Sequence, residues 1–218
     1  MSRPPRYATV IVDVDSTLCG VEGIDWLARR AGPDVFQRTE RLTRRAMEGD
    51  VSLESVYGDR LALIRPSRAD VDALASHYVR QLASHAVEVV GALRGAGVRV
   101  VLVSGGIRSA IEPVAHVLGL SSGDLCAVAL RWTTAGDYTG FDADSPLTTQ
   151  HGKREIVRQL RPERPALAVG DGATDVEMRS EVDAFAAYTG FVRRDRVVQR
   201  ADLVFGSFED LRTHVLGT

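Results

Sequence analysis

Two cysteines in 218 residues, Cys19 and Cys126, are too few and too isolated for a disulfide framework or a zinc knuckle, since neither belongs to a C-x-x-C pair. They fit a reducing compartment, as small buried side chains. Proline is scarce, at 8 residues, while 44% of the chain is hydrophobic and 26% charged, so composition disfavours intrinsic disorder and an ordinary globular fold is expected. No stretch approaches the roughly 18 apolar residues of a membrane span. Residues 1–7 also lack a cleavable apolar segment, so a cytoplasmic location with no membrane partner is expected. Charge of one sign is missing too: 27 basic against 29 acidic side chains give no broad footprint for nucleic acid. The arginine-rich stretch 38–45 has no interleaved aromatics and reads as a solvated helix face.

What is present is a repeated pattern of short apolar runs that stop at small or acidic residues. Residues 7–12 are apolar and β-branched and end at Asp13; residues 98–103 end in Ser104-Gly105-Gly106; residues 166–169 end in Gly170-Asp171-Gly172. Each reads as a buried strand of a parallel sheet. After the second comes a helical stripe, Ile107, Ala110, Ile111, Val114, Ala115 and Leu118, closed by Gly119. Strand then helix, repeated, predicts an α/β fold with a doubly wound, mainly parallel, Rossmann-like sheet. Weaker strands are expected at 125–130, 184–187 and 202–205, with a hairpin turning at Ala135-Gly136-Asp137 before a strand at 138–141.

Residues 20–84 contain no convincing strand and several amphipathic stripes. The clearest is Val71, Leu74, Ala75, Tyr78, Val79 and Leu82, opened by Ser67 and Asp70 as a capping box; another begins at Ser52 and runs to Pro66. The expected division is an α/β core of residues 1–18 and 85–218 with a helical module of residues 19–84 inserted between them. Arg60 falls on the second stripe, where a guanidinium must either reach water or meet an anion.

Asp13 and Asp15 leave a buried strand two residues apart and need a cation or a proton nearby. Presented beyond the strand end, Asp13 can attack phosphorus while Asp15 exchanges a proton with the leaving oxygen. Open α/β sheets gather ligand groups at the carboxyl ends of their strands, so three such ends would meet in one crevice. Ser104 brings a hydroxyl there, and Gly105 and Gly106 let backbone amides approach an anion just before a helix. Asp171 adds a carboxylate, and Asp13 and Asp171 suit magnesium, with Asp175 supporting them from behind. Lys153 can offset the excess of carboxylates and hold a phosphoryl oxygen. His151 reads as a solvent-exposed loop histidine outside the chemistry. A nucleotide-binding reading fails, because Asp13-Val14-Asp15 stands where a Gly-x-Gly-x-x-Gly turn would be needed.

Asp-x-Asp-Ser-Thr at 13–17, Ser-Gly-Gly at 104–106, Lys153 and Gly-Asp-Gly-x-x-Asp at 170–175, in this order, resemble the haloacid dehalogenase superfamily. Glu22-Gly23-Ile24-Asp25, Thr43-Arg44-Arg45-Ala46-Met47 and Arg60-Leu61-Ala62-Leu63-Ile64 narrow the resemblance to its phosphoserine phosphatase branch. The resemblance implies Asp13 as a phosphorylated nucleophile, Asp15 as general acid and base, and the helical module as a mobile cap. It implies magnesium held by Asp13, the Asp15 backbone carbonyl and Asp171. Ser104, Gly105, Gly106, Lys153 and Thr174 would surround the phosphoryl group, and Glu22, Met47 and Arg60 would contact the serine portion. The activity implied is hydrolysis of O-phospho-L-serine in serine biosynthesis, by a monomer or homodimer whose partner is a small-molecule phosphoester. The chain departs from the branch at Glu48, where glycine is usual, at Leu53, where phenylalanine is common, and at Thr174, where many relatives carry asparagine. Turnover of another small phosphomonoester, phosphoryl transfer to an alcohol, and a non-catalytic phosphoamino-acid sensor are the alternatives.

Overall fold

Thr9–Val12 has no solvent-facing side, all four residues being buried, as a strand covered on both faces requires. The structure, a computed structural model, describes residues 4–48 and 53–217, with side chains except those of residues 46–48, 53 and 54. In chain order its elements are β1 (Thr9–Val12), α1 (Gly23–Ala31), α2 (Pro33–Glu48), α3 (Leu53–Ile64), α4 (Arg68–Arg80), α5 (Ala86–Gly95) and β2 (Arg99–Ile107). There follow α6 (Arg108–Val117), β3 (Leu125–Val128), β4 (Leu130–Trp132), β5 (Tyr138–Phe141), α7 (Gly152–Leu160) and β6 (Ala166–Gly170). The chain ends with α8 (Ala173–Val176), β7 (Ala184–Tyr188), α9 (Asp195–Val198), β8 (Leu203–Phe205) and α10 (Phe208–Leu216).

Six strands form one parallel sheet in the order β3-β2-β1-β6-β7-β8. Strand β1 is central, with Val12 opposite both Leu102 and Val169. The carboxyl ends of β1, β2 and β6 therefore lie side by side, at the point where the strand order reverses, and the three predicted motifs emerge together. The predicted hairpin forms a separate antiparallel pair, β4 with β5, and Gly136 at its turn takes φ +92°.

One expectation needs correction. The strand expected to end at residue 103 is longer: β2 runs through Ser104-Gly105-Gly106 to Ile107, which pairs with Val128 of β3 past an irregularity, and α6 starts at Arg108, so Ile107 belongs to the strand and the glycine pair still lies just before a helix.

Helices α1–α4 fill the segment in which no strand was expected. The chain enters and leaves it through a pinch where Gly20 N–H donates to the Gln81 carbonyl and Ala83 N–H to that of Leu18, both at 2.9 Å. Helix α4 packs chiefly against α6 of the sheet layer. The Trp132 indole of the hairpin donates to the Pro66 carbonyl at 3.0 Å, tying β4 to the α3–α4 junction. Ser52, with which the second stripe was expected to start, and the side chains of Met47, Glu48 and Leu53 lie outside the described residues.

The expected capping box is present: the Ser67 hydroxyl accepts from Asp70 N–H, and the Asp70 carboxylate accepts from Ser67 N–H. Ser67→Ala is expected to lower stability by about 1 kcal/mol in urea titrations at pH 7. The hydrogen bond from the Ser67 hydroxyl, foremost, holds the Asp70 carboxyl below its ordinary range. A group so lowered stabilises the fold above that range and loses its contribution as pH falls through the lowered value, so the gap between variant and wild type should narrow below about pH 4.

Candidate active site

Asp13 is the first residue beyond β1, fixed by its N–H to the Val169 carbonyl at 3.0 Å, and only 4% of it is exposed. Its carboxylate meets the Lys153 ammonium at 2.5 Å, and the same ammonium meets Asp175 at 2.5 Å. Lys153 is placed by the start of α7. A Cβ on Gly152 would fall 1.8 Å from the Pro146 carbonyl, so only glycine lets the helix begin against that turn and present the next side chain to the sheet edge.

Carboxylate oxygens of Asp13, Asp171 and Asp175 all lie within 4.8 Å of one another. Burial, then the neighbouring Asp175 charge, push the Asp13 carboxyl well above its ordinary range, and Lys153 offsets this only in part. Burial works against the charged ammonium of Lys153, but Asp13 and Asp175 outweigh it and raise its pKa. Three buried carboxylates meet two cations, the Lys153 ammonium at Asp13 and Asp175 and the Arg194 guanidinium at Asp171, which leaves one negative charge in excess. Asp171 Oδ1 accepts from the Thr17 hydroxyl at 2.8 Å, whereas its buried Oδ2 accepts no hydrogen bond among the described residues and faces the Arg194 guanidinium. Hard oxygen donors and surplus negative charge fit a divalent cation, which would share Asp171 Oδ2 with Arg194. Both oxygens of Asp175 are engaged, one by Lys153 and the other by Gly172 N–H at 2.8 Å, so this residue braces the cluster.

Asp15 is turned away from that cluster. Its Oδ1 accepts from the Tyr78 hydroxyl at 2.6 Å and from Gly23 N–H at 2.7 Å, and its Oδ2 accepts from the Ser104 hydroxyl at 3.1 Å. The Ser104 oxygen in turn accepts from Gly106 N–H at 2.9 Å. Across the cleft, Glu22 stands just before α1, and its side chain, which makes no capping bond, accepts from the Ser16 hydroxyl at 2.8 Å, with Arg194 beside it. Arg60 projects from α3, pairs with Asp25 of α1 and keeps a buried Nε without a partner among the described residues.

Asp13, Asp15, Glu22, Arg60, Ser104, Gly105, Gly106, Lys153, Asp171 and Thr174 line one cleft of about 380 Å³ between the sheet edge and the helices α1 and α3. Of the expected site residues only Met47 is not placed there, its side chain lying outside the described residues. His151 is exposed and pairs with Glu177, apart from this cleft. The sequence reading missed Thr17, Arg194, Asp25, Tyr57 and Tyr78. Tyr57 donates to the Gly105 carbonyl at 2.9 Å. Both tyrosines lay on apolar stripes, and their hydroxyls were the one available sign that they do more than fill the core.

Residues 10–180 match the family model of haloacid dehalogenase-like hydrolases. The phosphoserine phosphatase of Bos taurus is 37% identical over 205 residues, covering 93% of this chain and 90% of that one. The chloroplastic phosphoserine phosphatase of Arabidopsis thaliana is 37% identical over 207 residues, covering 93% of this chain and 70% of that one. A solved phosphoserine phosphatase, in the form of an analogue of its phospho-aspartyl intermediate, is similar at TM-score 0.76 and 25% identity over 96% of this chain and 99% of that one.

Proposed function

The chain belongs to the haloacid dehalogenase-like hydrolases, and from that premise we propose that it hydrolyses O-phospho-L-serine to L-serine and phosphate through a phosphorylated Asp13. The observation that carries this reading is the meeting, in one cleft, of a buried nucleophile paired with Lys153 and two opposite charges, Glu22 just before α1 and Arg60 on α3. The curated relatives with 37% identity over most of the chain are phosphoserine phosphatases, which supports the same substrate. A cytoplasmic site of action is part of the proposal; no helix among the described residues is long and apolar enough to cross a membrane.

Asp13 attacks phosphorus as the ester P–O bond breaks, and Asp15 gives the leaving oxygen its proton. Asp15 then takes a proton from the water that attacks the phosphoryl group on Asp13, and free phosphate leaves. Lys153 holds Asp13 in line and faces the phosphoryl oxygens together with Ser104, the amides of Gly105 and Gly106, and Thr174. Magnesium is the cation we assign to Asp13, Asp171 and the Asp15 carbonyl, and when bound it neutralises phosphoryl charge. Helices α1–α4, residues 19–84, serve as the cap over this edge. Glu22 takes the substrate ammonium and Arg60 its carboxylate in a forked pair.

Turnover of phosphoserine against a panel of phosphomonoesters tests the assignment, which fails if another ester is processed orders of magnitude better. Within that panel, Arg60→Ala is expected to lower kcat/KM for phosphoserine by about 10- to 100-fold, the loss of a charge-assisted pair. It should barely change kcat/KM for phosphoethanolamine, which lacks the carboxylate. Equal losses on the two esters would remove Arg60 from substrate recognition.

A further inference from the structure

Tyr78 is fully buried on α4, and a buried phenol needs a partner for its hydroxyl. The partner here is Asp15 Oδ1, at 2.6 Å. The approach depends on residue 23 having no side chain, because a Cβ there would stand 2.2 Å from the Tyr78 oxygen. Gly23 N–H donates to the same Oδ1 at 2.7 Å. One oxygen of Asp15 thus receives two donors from the helical segment, while the other, Oδ2, faces Ser104 at the sheet edge. An oxygen already accepting two hydrogen bonds is a poor place for a proton, and the exchangeable proton of the Asp15 carboxyl is left to Oδ2, on the phosphoryl side of the cleft.

We propose that Tyr78 is a positioning residue for proton transfer: with Gly23 N–H it locks Asp15 Oδ1 as an acceptor, so that Oδ2 carries the proton delivered to the leaving oxygen. The proposal rests on the assignment of Asp15 as acid and base. As the bond from the Asp13 oxygen to phosphorus forms, the ester P–O bond breaks and its electron pair goes to the leaving oxygen. That oxygen takes the proton from Asp15 Oδ2, leaving Asp15 as a carboxylate held by Tyr78, Gly23 and Ser104. Tyr78 remains a donor throughout, since burial and the adjacent Asp15 charge keep its phenol well above its ordinary pKa. Helix α4 packs on α6, so the lock is anchored to the sheet layer.

The test is leaving-group dependence of kcat/KM, which reports the first phosphoryl transfer. An alkyl ester such as phosphoserine expels a basic alkoxide and needs the proton; p-nitrophenyl phosphate expels a stabilised phenolate and does not. Tyr78→Phe keeps the ring and removes the donor, and is expected to lower kcat/KM for phosphoserine by about 10- to 100-fold while changing that for p-nitrophenyl phosphate by less than about threefold. Gly23→Ala, which keeps the amide and displaces the phenol, should show the same contrast. Equal losses on both esters, as a merely structural role would give, or no loss on either, would overturn the proposal. If the wild type cleaves other alkyl phosphates but not phosphoserine, the substrate assignment falls, and the same contrast is then read with whichever alkyl ester it does cleave.

Discussion

Asparagine at position 13 is expected to abolish turnover, by at least about 10⁴-fold in kcat, while leaving the fold intact. The amide of Asp13→Asn is nearly the shape of the carboxyl but has no lone pair of comparable nucleophilicity, and no covalent step can start from it. Its effect on stability should have the opposite sign. The Asp13 carboxyl is raised well above its ordinary range because burial and Asp175 outweigh the help from Lys153, so the ionised side chain is a cost to the fold at neutral pH. Replacing it by a neutral amide removes repulsion with Asp175 and leaves Lys153 still paired to that residue. Thermal melting of the metal-free variant should therefore match or exceed that of the wild type. Acid-quenched wild-type protein should carry label from phosphate-labelled substrate, and the variant none. A variant that still forms the labelled species would show that the phosphoryl group is carried elsewhere.

The positions of Asp13 and Asp171 were legible because each follows a run of apolar residues, and in a parallel sheet the ends of such runs share one edge. The helix through Val71 and Tyr78 was legible for a similar reason, its period and its capping box both being local. What was not legible is decided by contacts between distant parts of the chain. Ser104-Gly105-Gly106 has the local look of a turn, and only pairing of Ile107 with Val128 makes it strand. Periodicity told that Tyr78 faces inward and could not tell that Asp15 waits there, 63 residues earlier. Arg194 sits among Arg193 and Arg196 in a segment whose local sequence marks none of the three, and its approach to Asp171 and Glu22 follows from the loop beyond β7 folding back over the sheet edge. One signal was available and unused. Lys153 is the only lysine in the chain, every other one of the 27 basic side chains being arginine. A chain that carries arginine everywhere else has kept a compact ammonium where the carboxylates of Asp13, Asp171 and Asp175 crowd a small buried volume.

That contrast leads to the second large expected effect. Lys153→Met should lower kcat by about 10²- to 10³-fold, since the ammonium that would meet the charge developing on the phosphoryl oxygens is gone. In the metal-free protein it should also cost about 3–5 kcal/mol of stability, because it breaks two buried pairs and leaves Asp13 and Asp175 facing each other without a counter-charge. Toward a divalent cation the expected change runs the other way. With the competing ammonium removed, the oxygens of Asp13, Asp171 and Asp175 present more net negative charge, so the variant should bind the cation at least as tightly as the wild type and gain more melting temperature from it. Calorimetric titration with magnesium and melting curves with and without the ion measure both quantities in the absence of substrate. Were Lys153 an ordinary structural lysine, activity would follow stability and recover once the ion had restored the fold. If instead the ion restores the melting temperature and activity stays low, the ammonium acts on the phosphoryl group itself, and the carboxylates it neutralises can be balanced by other means.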